Sequence, residues 1–151
     1  MTEDGFIHEK FKSDIKIYES ITNCQKAARV ILENVVSFIE RYPLSDVIIE
    51  YPALATKSGA YLAILHGYLA SYLNENVIVN SVTYVPPTAV DSFTKNREHS
   101  KTFLVNYCKE KGYIEKKASH DECTAIILCK LLEAISQGKY KNSYFKYEGI
   151  Y

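Results

Sequence analysis

Asp46-Val47-Ile48-Ile49-Glu50-Tyr51-Pro52 is the stretch that decides the predicted fold. A short apolar run bounded by turn signals is typical of a strand covered on both faces, and Pro52 stops this one. Glu50 then falls at the carboxyl end of the strand, where α/β proteins place their sites. A solvated strand end is the competing interpretation, and the rest of the chain has to separate the two.

Length and composition indicate one domain over residues 1–151. Hydrophobic residues make up 47% of the chain, and 18 basic residues balance 18 acidic ones, so any nucleic-acid-binding surface must be local. The four cysteines form no CxxC pair, which argues against zinc and against a disulfide framework. We expect reduced cysteines in the core of a cytoplasmic protein. No apolar run approaches the length of a membrane span, so no membrane partner is expected.

Hydrophobic periodicity predicts alternating strands and helices along the chain. Apolar stripes at helical spacing place Val30 and Phe103 on buried helix faces. The element order predicts an α/β fold with a parallel portion. The predicted strands cover residues 6–11, the run ending at Glu50, and 77–85; the predicted helices cover 20–41, 56–74, 98–111 (or 99–111) and 120–136; residues 88–98 are a predicted loop and 139–151 a basic and aromatic tail.

The second predicted helix carries small residues four apart, at Gly59, Ala63, Gly67 and Ser71. Small residues let another backbone approach closely. Tight packing on the sheet is the favoured interpretation, and a contact between two copies of the chain is the other.

Acidic residues stand at two positions where they can carry chemistry. Glu50 closes a strand, whereas Asp121 and Glu122 open the last long helix beside His120. The helix dipole favours acids in a first turn by about 0.3–1 kcal/mol, which is the simple explanation of that pair. The alternative is that Glu50 and Asp121 together hold Mg²⁺, which prefers oxygen ligands.

Basic residues cluster after the proline-ended strand, at Lys95, Arg97, His99 and Lys101. They predict a surface that contacts phosphates, although Asp91 and Glu98 dilute its charge. The tail adds lysines interleaved with tyrosines, a pattern that can grip a nucleic-acid backbone and stack on bases. An ordinary tail laid over the domain is the competing interpretation.

Four stretches in this order resemble the RuvC-like Holliday junction resolvases of the RNase H-like superfamily, over residues 15–135. They are Asp46-Val-Ile-Ile-Glu50, Lys57-Ser-Gly-Ala-Tyr-Leu-Ala-Ile-Leu-His-Gly67, Val82-Thr-Tyr-Val-Pro86 followed by Lys95 and Lys101, and His120-Asp-Glu-Cys-Thr-Ala125. The resemblance implies a mixed sheet flanked by helices. It also implies a metal-dependent endonuclease that cuts branched DNA with two Mg²⁺ (or Mn²⁺) ions.

The resemblance assigns roles to particular residues. Glu50 and Asp121 match metal-binding acids of the family, with His120 and Glu122 in support. Lys95, Arg97 and Lys101 fall in the segment that leads to DNA. The helix over 57–74 matches the one through which the family forms homodimers.

Two departures from the family pattern bear on activity. Thr124 stands where the family has a second helical acid, and it can still hold a metal-bound water. The family also begins with two strands, the first carrying Asp-x-Gly, and this chain starts at the Asp4-Gly5 turn that would follow them. We therefore expect an incomplete chain, strands supplied by a separate chain or a different pairing, or a relative that binds DNA without cutting it.

Three functions follow from these patterns. The first is a RuvC-type nuclease acting on branched or otherwise structured DNA. The second is a catalytically inactive DNA-binding or subunit protein of the same fold. The third is a small α/β interaction domain with no nucleic-acid role.

Overall fold

The computed structural model describes residues 6–7, 9–42, 45–51, 57–75, 79–115, 117–139 and 146–147. The chain divides into two compact units, and each is described by itself. The sheet unit comprises residues 11–86 and 144–151, and the helical unit comprises residues 1–10 and 87–143. The prediction of one domain over 1–151 stays a prediction.

The sheet unit is built on two parallel strands that a helix connects. Its elements are a 3₁₀ turn at Ile17–Glu19, α1 at Ile21–Glu40, β1 at Ser45–Glu50, α2 at Lys57–Glu75, β2 at Val79–Val85 and β3 at Lys146–Tyr147. β1 pairs in parallel with β2, and β3 adds to the other side of β2 in antiparallel direction. The predicted α/β fold with a parallel portion is confirmed, as are the predicted helices over 20–41 and 56–74.

Two apolar clusters hold the sheet unit together. Ala27 and Ala28 of α1 pack with Leu65 of α2, and Ile39 of α1 packs with Val82 of β2. Val30, which the apolar stripe placed inward, is 37% exposed, because the buried face of α1 is centred on the small residues instead.

The strand β1 is half-buried rather than covered on both faces. Residues 47–50 all keep intermediate exposure, and Asp46 is exposed. The sequence prediction of a fully covered strand was therefore wrong. Within the residues that the structure describes, β1 has a paired neighbour on one side, β2, and lies at the edge of its sheet.

The helical unit contains α3 at Ala89–Thr94, α4 at Lys101–Glu110 and α5 at His120–Ser136. The bounds of α5 and its cap at Ser119 agree with the prediction. The predicted loop over 88–98 was wrong in part, because α3 forms within it. The helix predicted from residue 98 or 99 begins at Lys101, since the Ser100 hydroxyl accepts a hydrogen bond from the Phe103 N–H and caps it.

Gly112 ends the third predicted helix, as the sequence indicated. Its φ of 71° is left-handed, a conformation that glycine adopts at no steric cost. The Gly112 N–H donates to the Lys109 carbonyl, and the Tyr113 N–H donates to the Cys108 carbonyl. These two bonds form a Schellman motif, which satisfies carbonyls at the end of α4.

The predicted strand over 6–11 does not form in the part of it that the structure describes, residues 6–7 and 9–11. The Phe6 ring instead meets the Tyr113 ring edge-on at 5.3 Å, and the Lys130 ammonium lies 5.6 Å from the Phe6 ring centre. The apolar side chain of Phe6 thus packs against Tyr113 and Lys130 instead of belonging to a paired strand. The Asp4-Gly5 turn and most of the tail lie outside the described residues.

Three predicted burials are corrected. A Cβ added at Gly67 would meet no heavy atom within 4 Å, so tight packing on the sheet was wrong at that residue. Phe103 is 38% exposed and stacks on Tyr107, because the inward face of α4 is occupied by smaller residues. All four cysteines are free thiols, but Cys129 is exposed rather than in the core.

No helix within the described ranges combines the length and the apolar character that crossing a membrane requires.

Candidate functional site

Glu50 occupies the carboxyl end of β1, as predicted. Its backbone lies opposite Val85 in the parallel register, and the Tyr51 N–H donates to the Val85 carbonyl at 3.0 Å. The ladder therefore continues one residue past Glu50, which fixes the backbone that carries the carboxylate. Glu50 is half-buried and lies at the edge of the sheet where α/β proteins bind ligands.

The start of α5 is fixed by a reciprocal cap between Ser119 and Glu122. The Glu122 N–H donates to the Ser119 hydroxyl at 3.2 Å, and the Ser119 N–H donates to a Glu122 carboxylate oxygen at 3.1 Å. This is a capping box, which satisfies two backbone donors at once. The Glu122 carboxylate thus has a structural partner at the helix start.

Asp121 extends from the first turn of α5, with its side chain 69% exposed. The Lys10 ammonium lies 3.1 Å from one carboxylate oxygen, and the Nδ1 of His120 lies 3.4 Å from the other. The hydrogen bond from Lys10 is the largest cause that holds the pKa of Asp121 below its usual value; partial burial opposes it, and the charges of Lys10 and His120 reinforce it.

Thr124 follows His120 by one helical turn and contacts it twice. The Thr124 hydroxyl donates to the His120 carbonyl at 3.0 Å and lies 3.5 Å from the His120 Nε2. His120 therefore lies between the Asp121 carboxylate and the Thr124 hydroxyl. Lys10, His120, Asp121 and Thr124 form one polar group at the start of α5, here named the α5 cluster.

The predicted basic residues lie around a turn between α3 and α4. Lys95 ends α3 with a φ of 60°, Arg97 is exposed, and Lys101 is the first residue of α4. We name residues 95–101 the basic turn. All three cationic side chains are exposed to solvent, which a surface that contacts phosphates requires.

A buried side chain, Asn96, holds the basic turn in shape. It is 3% exposed, its amide NH₂ donates to the Asp91 carboxylate at 2.8 Å and to the Ser100 carbonyl at 3.0 Å, and its carbonyl oxygen accepts from the Ser100 N–H at 3.1 Å. The other Asp91 oxygen pairs with His99, which adopts a left-handed φ of 53°. Asn96 thus connects the end of α3 to the start of α4.

Comparison with protein-family models, with curated proteins and with solved structures gives no match.

Two functional features were missed from the sequence. Lys10 is remote from Asp121 along the chain, and no local signal joins them. Asp91 and Asn96 are five residues apart, on either side of Thr94-Lys95. Polar side chains of this kind, which form hydrogen bonds to the backbone, are typical of turns. That signal was present, but it does not say which polar side chain is buried.

The arrangement limits what each part can bind. Within the described ranges, no group of three or more His, Cys, Asp or Glu side chains has the placement of a metal site. The α5 cluster supplies one carboxylate, and Glu50 supplies another. Glu50 belongs to the sheet unit and Asp121 to the helical unit, and each is placed only within its own unit. Their shared metal site stays a prediction.

Proposed function

We propose that this chain is a RuvC-type, metal-dependent endonuclease polypeptide that acts on branched DNA in the cytoplasm. The observation that carries the proposal is Glu50 at the carboxyl end of β1 in a parallel β1–α2–β2 unit. A capped helix with an exposed acid in its first turn, Asp121, supports it. Both features are those that the resemblance to the RNase H-like superfamily implies.

In this proposal Glu50 and Asp121 would each supply a carboxylate ligand to Mg²⁺ or Mn²⁺. Such ions generate a nucleophilic hydroxide and stabilise the leaving oxygen of a phosphodiester. Thr124 would hold a metal-bound water, and His120 would contact phosphate or that water. The Lys10 ammonium is 3.1 Å from an Asp121 carboxylate oxygen, so Lys10 would have to leave this oxygen for Asp121 to hold a divalent cation there.

The basic turn is proposed to contact the DNA backbone through Lys95, Arg97 and Lys101. All three cations are exposed, and the Asn96 network holds the turn that carries them. Each phosphate contact releases counterions, so affinity falls steeply with salt. A triple glutamine substitution of these residues is expected to flatten that salt dependence.

Cleavage of a labelled four-way DNA junction under Mg²⁺ and Mn²⁺ titration tests the proposal. We expect cleavage that Glu50→Gln and Asp121→Asn each abolish, because each removes an anionic ligand. Glu110→Gln changes an exposed carboxylate of α4 and serves as the matched control. Cleavage that survives both substitutions, or that Glu110→Gln equally removes, would exclude this assignment.

We further propose that the nuclease acts as a homodimer through α2. The open space beside Gly67 supports this, because a small residue facing solvent allows close approach of a second helix. Light scattering is expected to give a dimer mass that Gly67→Gln converts to a monomer, whereas Asn106→Gln at an exposed position of α4 leaves it unchanged. A monomer at all concentrations would contradict the dimer and leave the DNA assay to decide the nuclease.

A second candidate is a catalytically inactive DNA-binding or subunit protein of the same fold. The Lys10–Asp121 ion pair favours it, since an ammonium already neutralises the acid that would bind metal. This protein would bind the junction in a salt-dependent way without cutting it at any metal concentration. Cleavage by the purified chain would exclude it.

A further inference from the structure

A long groove runs between α1 and α2 in the sheet unit. Its volume is about 770 Å³, and its lining begins at Gln25 on α1 and Tyr68 on α2 and ends at Glu40 and Glu75. The α2 side covers residues 68–75, about 10 Å along the helix, and the α1 side covers the 16 residues 25–40, about 22 Å. That length accommodates about four turns of a helix.

The floor of the groove is apolar and aromatic. Ala28 is buried, Leu32 and Val36 are half-buried, and the residues Tyr68 and Tyr72 are 37% and 39% exposed. The Gln25 amide donates to the Tyr68 hydroxyl, which orients that ring beside α1. Exposed tyrosines over an apolar floor are the residues that contribute most to protein–protein binding.

The rim of the groove is acidic. Among the lining residues that the structure describes, Glu33, Glu40 and Glu75 face a single cation, Arg29, which gives this part of the lining a net formal charge of −2. None of the three carboxylates forms an ion pair with another residue that the structure describes. Glu40 and Glu75 are also the last residues of α1 and α2, where the helix dipoles add partial negative charge.

We propose that the α1–α2 groove binds a basic amphipathic helix of a partner protein. Its apolar residues, spaced at i, i+4 and i+7, would cover the Leu32, Val36 and tyrosine floor, and its lysines or arginines would face the three glutamates. The negative charge of the groove distinguishes this partner from DNA and from a second copy of the chain. DNA is repelled by the carboxylates, and a second copy of the groove would bring like charges together.

The proposal is independent of the metal site and the DNA surface proposed above, because every residue that carries it lies outside Glu50, the α5 cluster and the basic turn. It shares α2 with the proposed homodimer, and light scattering distinguishes these two uses of the helix. It predicts a protein-binding face whose charge is opposite to that of the basic turn. Loss of nuclease activity would leave it standing, and loss of groove binding would leave the nuclease standing.

A pair of labelled peptides tests the groove by fluorescence anisotropy. Both have about 18 residues, enough to span the groove as a helix, with leucines at i, i+4 and i+7. One carries lysines on the flanks and the other carries glutamates at the same positions. We expect the lysine peptide to bind at least about tenfold more tightly. Equal binding of the two peptides, or binding of neither, would overturn the proposal.

Matched variants locate the binding. The triple variant Glu33→Gln/Glu40→Gln/Glu75→Gln is expected to weaken the lysine peptide about tenfold. Glu98→Gln/Glu110→Gln/Glu115→Gln removes as many exposed carboxylates from the helical unit and should change nothing. Equal weakening by both triples would mean non-specific charge attraction and would overturn the proposal.

Tyr68→Ala/Tyr72→Ala tests the apolar floor and should also weaken binding about tenfold. Circular dichroism checks that this variant folds; if it does not, the glutamine triple, which changes only exposed carboxylates, decides. Light scattering tests the other possible occupant of the groove, a second copy of the chain. If the native protein is a dimer that the groove variants alone dissociate, a second copy fills the groove and the partner proposal is wrong.

Discussion

The Lys10 ammonium lies 3.1 Å from a carboxylate oxygen of Asp121 and joins the N-terminal segment to the first turn of α5. This ion pair gives the acid of the α5 cluster a cation from its own chain. Any divalent ion that binds Asp121 therefore competes with Lys10. The pair also makes the protonation of Asp121 depend on a residue outside the helix.

Lys10→Gln is expected to raise the pKa of Asp121 towards its ordinary value, because the largest cause of the lowered pKa is the hydrogen bond from Lys10. A carboxyl group with a lowered folded-state pKa stabilises the fold above its unfolded pKa, and that stabilisation is lost as the pH falls through the folded pKa. The native chain should thus exceed Lys10→Gln in stability at about pH 6, and the difference should disappear as the pH falls through the lowered pKa of Asp121.

Carboxyl NMR titration and urea unfolding measure these two effects. The stability difference should stay below about 1 kcal/mol, because Asp121 is largely exposed and water screens the pair. Lys12→Gln removes an exposed lysine nearby and serves as the control. An Asp121 pKa that is the same in the native chain and in Lys10→Gln would show that the contact does not persist in solution.

Glu122→Ala is expected to lower the free energy of unfolding by about 1 kcal/mol, because it removes one half of the capping box of α5. Glu122→Gln should keep most of that stability, since glutamine also accepts the Ser119 N–H. Urea denaturation measures both, with Glu110→Ala on α4 as the control. If Glu122→Gln keeps stability but abolishes junction cleavage, Glu122 acts in the chemistry as well as in the cap.

Asn96→Ala is expected to cost about 1–3 kcal/mol, because it leaves the backbone groups of Ser100 and one Asp91 oxygen without their buried partner. Hydrogen exchange at the Ser100 amide should accelerate by the factor that corresponds to this free energy, because that N–H loses its acceptor, the Asn96 carbonyl oxygen. Arg97→Ala changes an exposed neighbour and should leave stability unchanged. Equal effects of the two substitutions would contradict a structural role for Asn96.

Phe6→Ala is expected to release the N-terminal segment, because the ring contacts Tyr113 edge-on and lies under the Lys130 ammonium. An aromatic pair of this kind contributes about 0.5–1.5 kcal/mol beyond buried area. Limited proteolysis should cut the variant before residue 10 faster than the native chain. Ile7→Ala removes an exposed side chain and should not change the rate.

The sequence predicted correctly those elements whose ends are set by local capping residues. Ser119 and Gly138 bound α5, and both its ends agree with the prediction, because caps act over a few residues. The parallel pairing of β1 and β2 agrees with the parallel portion that the order of strands and helices predicts. Glu50 therefore lies at the predicted strand end without any long-range information.

Long-range contacts explain what the sequence did not predict. The strand over 6–11 was wrong because a strand needs a partner, and Phe6 packs on Tyr113 instead. α3 was missed because Thr88 makes no side-chain cap bond, so the usual start signal is weak. The pairing of Lys10 with Asp121 depends on tertiary packing, which local patterns do not encode.

The two left-handed residues of the basic turn, Lys95 and His99, have a consequence for how that surface behaves. Side chains with a Cβ disfavour this backbone geometry by about 1–2 kcal/mol each, so neither residue would choose it alone. The turn therefore keeps its conformation only while the buried amide group of Asn96 holds it. If the hydrogen bonds of Asn96 are lost, the fixed spacing of the surface cations should be lost as well, even while α4 and α5 stay folded.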